Sequence, residues 1–319
     1  MPPYHILSID GGGIRGLLTA ILLERLEAAV PGFLSKIDLY AGTSTGGILA
    51  LGLAAGITPT QARDLYEVKG PEVFSNSVFD NVRDLGNAIG AQYSNVNLKR
   101  ALGEYFGAKT LDDLPHKVLV SSFDLDNGPD NPPQLRTWKP KFFHNFPGPD
   151  SDGKELVVDV ALRTAAAPSF FPVYQGYADG GVMANNPSVA AVAQALEPST
   201  GGQSLADLSL LALGTGRGNQ FLSVQDANWG WVQWAPHIID ILLGGTSGVA
   251  DYQCRQLLGA RYHRLDPLMP ETINLGDVDK IPRLVEIAER VMLEATIDWI
   301  KPNVQPGPGG PAFKGWFNP

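Results

Sequence analysis

A serine in a tight glycine turn is the first group in the sequence that could act as a nucleophile. Ser44 lies in Gly42-x-Ser44-x-Gly46, a spacing that suits a sharp turn between a strand and a helix. The small neighbours leave a substrate carbonyl room to approach, and a helix N-terminus stabilises an alkoxide or a developing oxyanion. The five-residue pattern alone also fits a glycine-rich turn whose serine only caps a helix.

A second glycine turn, Gly11 to Gly16, precedes the serine turn and matches G-x-G-x-x-G, the dinucleotide-binding pattern. Asp10 stands directly before these glycines, where it would repel a diphosphate, and the next strand ends in the serine turn instead of a ribose-binding acid. Backbone N–H groups of such a turn can equally receive the oxyanion of an acyl-transfer intermediate. The alternative is a tight turn that needs positive φ, with Arg15 solvated or paired to a carboxylate.

A serine nucleophile needs a base, and the histidines have no suitable setting. The five are His5, His116, His144, His237 and His263, none of them in a glycine-rich turn after a strand. In contrast, Asp179 precedes Gly180 and Gly181 at a turn. An exposed Asp, with a pKa near 3.9, is a poor base, so Asp179 would have to be partly buried and hydrogen-bonded to the serine. An Asp-Gly hairpin turn is the alternative interpretation.

Taken in order, the three segments resemble the patatin-like phospholipases. The segments are 10–16, 42–47 and 179–181, with further matches at 165–172, 185–187 and 214–216. The resemblance extends from about residue 5 to at least residue 265. It implies an α/β fold of three layers, α/β/α, with a mainly parallel central sheet, and it implies no metal and no cofactor.

The resemblance also implies a role for each motif residue. Ser44 would be the nucleophile and Asp179 the base of a two-residue dyad, while the amides around Gly11, Gly12 and Gly13 would form the oxyanion hole, with Arg15 supporting that loop. The supporting motif positions are Gly42, Gly46, Gly180 and Gly181. The implied activity is hydrolysis of acyl esters of phospholipids or lysophospholipids through an acyl-enzyme.

Three alternative functions stay open at this point. The same dyad could serve a general carboxylesterase or a transacylase, which passes the acyl group to an acceptor other than water. The chain could also be a phospholipase effector that a signal nucleotide activates. From another class, it could be a nucleotide-binding regulator that uses the glycine turn, with Ser44 only a cap.

Hydrophobic patterning predicts the elements that hold these motifs. Strands are expected at 6–9, 39–41, 117–123 and 208–213, and helices after both glycine turns, from 157 to 167 and along an apolar stripe at 284–295. Residues 126–153 predict a long loop or hairpin. Successive strand-turn-helix units imply parallel strands, whose carboxyl ends gather both glycine turns at one edge of the sheet.

Domain organisation follows the same pattern. We expect one catalytic domain at 1–301, with an irregular or helical cap at about 70–110, and a flexible Pro/Gly tail at 302–319. Residues 229–243 combine three tryptophans with an apolar run. We expect them to form a core helix with its preceding loop; a lipid-facing patch is the alternative.

Composition excludes several classes of protein. The 319 residues carry a net charge of −9, which disfavours binding to nucleic acid and to anionic lipid surfaces. One cysteine, Cys254, excludes an intrachain disulfide and a zinc site built on paired thiolates. The first strand begins almost at Met1, which leaves no room for a signal peptide, so we expect a cytoplasmic protein. The expected partner is a lipid substrate, with transient contact to a membrane surface.

Overall fold

A central sheet of seven strands organises the computed structural model, which describes residues 2–74, 91–128, 132, 135–218, 221–222, 228–235 and 237–304. The strands are β1 (Tyr4–Ile9), β2 (Leu39–Thr43), β3 (Lys117–Asp124), β4 (Lys139–His144), β5 (Tyr177–Asp179), β6 (Leu208–Leu213) and β7 (Tyr262–Leu265). Their order is β4-β3-β2-β1-β6-β7, with β5 also paired to β3. The neighbours from β3 to β7 along this order run parallel, whereas β4 and β5 are antiparallel to β3.

The two edges of β3 explain how the sheet brings distant motifs together. One edge pairs with β4 from residue 119 to residue 124. The other edge pairs first with β2, up to Thr43 opposite Ser121, and then with β5, starting at Asp179 opposite Ser122. Strand β5 therefore continues along this edge where β2 ends, and the residue after β2, Ser44, meets the last residue of β5.

Helices cover both faces of the sheet. They are α1 (Gly16–Ala29), α2 (Thr45–Ala54), α3 (Pro59–Glu67), α4 (Gly70–Val73), α5 (Asn95–Phe106), α6 (Val157–Thr164), α7 (Gly181–Ala184), α8 (Ser188–Leu196), α9 (Trp231–Trp234), α10 (Ile238–Leu258), α11 (Ile281–Arg290) and α12 (Glu294–Asn303). Alternate strand residues point to opposite sides. Leu7 and Ile9 join the core under α1, α2 and α11, while Ile6 joins a second core under α8 and α10. The fold is thus the three-layer α/β/α arrangement.

Several boundaries differ from the sequence expectations. Helix α6 ends at Thr164, before the Ala-rich turn that leads to Pro168. The stripe at 284–295 belongs to two helices, because the chain leaves the α-region at Val291. Pro302 lies in the last turn of α12 and not in the tail; residues 305–319, like 75–90 of the cap, lie outside the described residues.

The tryptophan segment also differs from the favoured expectation of a core helix. Trp231 is 83% exposed, and the first half of α10 contributes no fully buried side chain; the buried ones are Ala250, Cys254 and Leu258. Within the described residues, no helix is long and apolar enough to span a bilayer.

Candidate active site

Ser44 occupies a strained turn between β2 and α2. Its φ of 55° and ψ of −125° lie in a region that non-glycine residues rarely adopt. The turn projects the side chain at the carboxyl end of β2 and at the N-terminus of α2, as a nucleophile requires. The side chain is half-buried, so a substrate can reach it.

The two glycines of the serine motif are needed for close backbone packing. A Cβ atom on Gly42 would overlap the carbonyl group of Gly46, and one on Gly46 would overlap the carbonyl oxygen of Ile9. Helix α2 therefore starts in direct contact with β1 and β2. Any side chain at these positions would move Ser44 away from the strand ends.

Thr164 fixes the backbone of Ser44. Its hydroxyl accepts a hydrogen bond from the Ser44 N–H at 2.8 Å and donates one to the Ser121 carbonyl at 2.6 Å. Thr164 is fully buried at the end of α6. The hydroxyl therefore ties the strained turn to β3, the strand that also pairs with β5.

Asp179 is buried beside Ser44, at the end of β5. Both residues line the same cleft, and the Ser44 hydroxyl favours the ionised form of the Asp179 carboxylate. The same carboxylate accepts the N–H of Gly181 at 2.7 Å. Burial raises the pKa of Asp179 to about 6, although the Ser44 hydroxyl and the Gly181 N–H oppose the shift by favouring the ionised form. A carboxylate with this pKa is ionised at neutral pH and is a better proton acceptor than an exposed Asp.

The glycine loop after β1 differs from the expectation at one position. The N–H of Gly11 donates to the Asn185 carbonyl at 3.0 Å, so it is not available to an oxyanion in this structure. Gly12 and Gly13 line the same cleft as Ser44 and Asp179. Within the described residues, the N–H groups of Gly12 and Gly13 donate to no protein acceptor. They are the donors that can face a reacting carbonyl.

Neighbouring segments hold this loop tightly. Gly13 has a φ of 56° and packs on Leu275, whose carbonyl accepts the N–H of Ile14 at 2.9 Å. A Cβ on Gly12 would overlap the side chain of Thr215. The Thr215 hydroxyl donates to the Gly11 carbonyl at 2.9 Å, and Arg15 Nε donates to the Gly12 carbonyl at 3.3 Å.

A buried ion pair fixes the residue that precedes the loop. Arg264 of β7 donates from both Nη atoms to the two carboxylate oxygens of Asp10, at 2.9 and 2.6 Å. It also contacts Asp266 at 3.0 Å, and Asp266 accepts the N–H of Gly216. Because the charges of Asp10 and Arg264 are almost completely buried, each depends on the other to offset its desolvation.

Ser44 opens into an apolar cleft with about 860 Å³ of empty space, including the open solvent at its mouth. Side chains from α2, α3, α5 and the first half of α10 line it, among them Ile48, Leu65, Leu98, Ile239 and Leu243. Phe74, Phe170 and Phe171 close one side. The lining suits a hydrocarbon chain much better than a polar substrate.

A larger polar cavity lies on the other side of the glycine loop. It has about 2340 Å³ of empty space, again including open solvent, and its lining includes Asp10, Arg15, Arg217 and Arg264. Gly11 faces this cavity and does not line the apolar cleft. Asn185, Leu243 and Leu275 line both spaces and form the boundary between them.

In the described part of the chain, neither a histidine nor a metal-binding cluster accompanies Ser44. No histidine there lines the apolar cleft. Four of the five histidines have other contacts. His5 contacts Ser209, His116 contacts the Ile37 carbonyl, His263 contacts Thr296, and His237 lies against Trp229. The described residues contain no group of three or more His, Cys, Asp or Glu side chains that could hold a metal ion.

Comparison with known sequences identifies the family. The sequence model for "Patatin-like phospholipase" matches residues 7–192, which cover the second half of β1, the serine turn and the Asp179 turn. The chain belongs to the patatin-like phospholipase family. Like other patatin-like phospholipases, it is a lipid acyl hydrolase. The family resemblance that the three motifs indicated, and the fold class that it implied, are confirmed.

Relatives of this patatin-like phospholipase come from bacteria and plants. A cGAMP-activated phospholipase of Pseudomonas aeruginosa is 33% identical over 83% of this chain and 79% of its own length. Protein teg of Priestia megaterium is 30% identical over 95% of this chain and 99% of its own. Patatin group M-1 of Solanum tuberosum is 28% identical over 81% of this chain and 73% of its own.

Sequence reasoning missed the residues that position the patatin-like motifs. Thr164 and Arg264 contact the serine turn and Asp10 only through the tertiary fold. Thr164 ends a helix that also contains Asp159 and Arg163, and Arg264 belongs to a short strand with another polar residue, His263. A buried Thr at a helix end has no distinguishing spacing. The one signal in the sequence was Asp10, because an acid that directly follows a buried strand needs a cationic partner.

Proposed function

We propose that the chain cleaves acyl esters of phospholipids or lysophospholipids through Ser44 and Asp179. The observation that carries this proposal is that Ser44, held in a strained turn, and the buried carboxyl group of Asp179 line one apolar cleft. The nucleophile, the base and an acyl-binding space thus occupy one place, which is what an acyl hydrolase needs.

In the first half of the reaction, Ser44 Oγ attacks the acyl carbonyl and its proton passes to Asp179. The carbonyl π electrons move onto oxygen, and the N–H groups of Gly12 and Gly13 stabilise the resulting oxyanion. One such donor contributes roughly 3–4 kcal/mol of transition-state stabilisation. When the intermediate collapses, the bond to the leaving alkoxide breaks, and Asp179 returns the proton to that oxygen.

In the second half, water replaces the alcohol. Asp179 accepts a proton from the water as its oxygen attacks the acyl-enzyme, and the proton then passes to Ser44 Oγ as the fatty acid leaves. Both halves use the same oxyanion donors. The cycle therefore restores the enzyme with one ester consumed and one acid and one alcohol formed.

Fatty-acid release from phosphatidylcholine vesicles tests this assignment. Wild-type protein is compared with Ser44→Ala and, as a matched control, with Ser199→Ala, which changes an exposed serine far along the chain. We expect release to disappear in Ser44→Ala and to persist in Ser199→Ala. Equal release by wild type and Ser44→Ala would refute the assignment. Acyl transfer to an added alcohol at the expense of free acid would favour the transacylase alternative.

A second candidate is activation by a cyclic dinucleotide. The Pseudomonas aeruginosa relative is named for activation by cGAMP, and the polar cavity places the guanidinium groups of Arg15 and Arg217 next to the glycine loop. Phosphodiester oxygens are good acceptors for guanidinium donors. The test is fatty-acid release with and without cGAMP, for wild type and Arg217→Ala. Unchanged release with cGAMP would reject activation and leave the Ser44 assignment standing.

A further inference from the structure

Helix α10 presents three chemically different faces along its 21 residues. The first faces inward: Ala250, Cys254 and Leu258 are buried, and Ile239 and Leu243 line the apolar cleft. The second carries Asp240, Ser247, Asp251 and Arg255, which line the polar cavity. The third points to solvent. A solvent-facing helix side is normally polar, so its composition is informative.

Most of this third face is apolar; Gln253 and Gln256 lie on it near the C-terminus of α10. Ile238, Ile241, Leu242, Val249 and Tyr252 follow helical spacing and are between 37% and 64% exposed, and Ile241 also borders the polar cavity. Helix α9, directly before it, adds Trp231, Val232 and Trp234, of which the first two are more than 80% exposed. These eight residues are called the α9–α10 surface below. An exposed apolar cluster of this kind marks an interaction site.

The charge around this surface indicates what it does not bind. None of the eight residues is charged, and the sequence has no Lys or Arg between Arg217 and Arg255. Asp240 and Asp251 are on the face toward the polar cavity. Attraction to anionic lipid headgroups requires basic side chains near the surface. Contact must therefore rest on insertion of apolar and aromatic groups.

We propose that the α9–α10 surface docks on a phospholipid bilayer of zwitterionic headgroups, with α10 in the plane of the interface. Continuity with the cleft supports this occupant: Ile238 and Leu242 of the surface directly precede Ile239 and Leu243 of the cleft lining. An acyl chain leaving the bilayer would pass into the cleft without crossing water. The exposed indoles of Trp231 and Trp234 suit the boundary between headgroups and acyl chains. The proposal rests on the lipid substrate of the proposed function.

Co-sedimentation of the full chain with phosphatidylcholine vesicles tests the docking. The test variant is Trp231→Ser with Val232→Ser, since neither residue lines the cleft or the polar cavity. The matched control is Trp138→Ser, whose indole is 70% exposed outside this surface. We expect the double variant to bind about tenfold more weakly or worse, because each lost side chain removes apolar burial. Trp138→Ser should bind like wild type.

Hydrolysis of a short, water-soluble ester separates docking from catalysis. We expect the double variant to retain wild-type turnover on that ester, which also shows that it is folded, while losing activity on vesicles. Absence of wild-type binding, or equal binding by the double variant, would overturn the docking proposal. A second outcome would also overturn it: a wild-type dimer in solution that does not bind vesicles, together with a monomeric double variant. A second copy of the chain would then cover the surface. Vesicle binding without any Ser44-dependent hydrolysis would leave docking in place and reject the proposed function.

Discussion

Hydrolysis should slow about tenfold between pH 7 and pH 5, because Asp179 must be ionised to accept the proton of Ser44. Burial raises the pKa of Asp179 to about 6. At pH 7 about nine-tenths of the carboxyl groups are ionised, and at pH 5 about one-tenth are. The acid limb of kcat/KM reports the pKa of the free enzyme's base, so its midpoint should lie near pH 6. An exposed Asp would instead give a midpoint near pH 4.

The assay is initial-rate hydrolysis of a soluble short-chain ester from pH 4 to pH 8, which avoids any pH effect on vesicles. Asp179→Asn should be inactive throughout, because an amide of nearly the same shape cannot accept the proton. A flat profile from pH 5 to pH 8 would refute the reasoning, as would substantial turnover by Asp179→Asn.

The same shift has a consequence for stability. Since the folded pKa lies above the unfolded value of 3.8, the folded state binds more protons, and the wild type loses stability as pH rises through this window. A shift of about two pKa units corresponds to about 3 kcal/mol. Asp179→Asn does not lose this stability. The free energy of unfolding of the variant minus that of wild type should therefore increase by about 2–3 kcal/mol from pH 4 to pH 8. Denaturant unfolding at both pH values measures it; an unchanged difference would contradict the assigned pKa.

Three further substitutions probe the groups that position the dyad. Thr164→Val removes the hydroxyl that accepts the Ser44 N–H, and we expect kcat to fall at least tenfold with about 1–3 kcal/mol lost from stability, measured by kinetics and denaturant unfolding. Arg264→Gln leaves the buried Asp10 without its cation and should cost about 3–5 kcal/mol in the free energy of unfolding. Gly12→Ala introduces a Cβ that overlaps Thr215, so the loop must shift and kcat should fall by about 10²-fold, the effect expected for loss of an oxyanion donor.

Each of these has its own control. Thr164→Ser keeps the hydroxyl and should restore most of kcat; an equal loss in both Thr164 variants would mean that the methyl group matters, not the hydrogen bond. Adding Asp10→Asn to Arg264→Gln should recover stability, and strictly additive losses would argue against the ion pair. For Gly12→Ala, unchanged kcat would show that the glycine loop takes no part in the reaction.

The sequence predicted the motifs because each is local. Ser44 and Asp179 stand in turns whose glycines and neighbouring strands can be read over six or seven residues, and their order along the chain indicated the family. Their contact depends on β5 following β2 along one edge of β3. A three-residue strand carries too little pattern to reveal that arrangement, so proximity of the two residues followed from the resemblance alone.

Other features of the structure could not be predicted from the hydrophobic pattern or the motifs, each for a different reason. An apolar helix face looks the same in sequence whether it packs on a core or points to solvent, which is why the segment around Trp231 was expected inside. The sequence alone allowed the Gly11 amide to be assigned to an oxyanion hole. In the structure this amide donates to the Asn185 carbonyl. Thr164 illustrates a third case, since its function depends on which backbone group the fold brings to it.

The ion pair between Asp10 and Arg264 joins groups that are 254 positions apart in the chain. During synthesis, the serine turn and the Asp179 turn are both complete before Arg264 is added. Until then, Asp10, next to the glycine loop, has no cation to accompany it into the interior, and closure of so long a loop carries an entropy cost. Ordering of the glycine loop therefore depends on β7, so a nascent chain that already contains Ser44 and Asp179 would still lack the cation that fixes this loop.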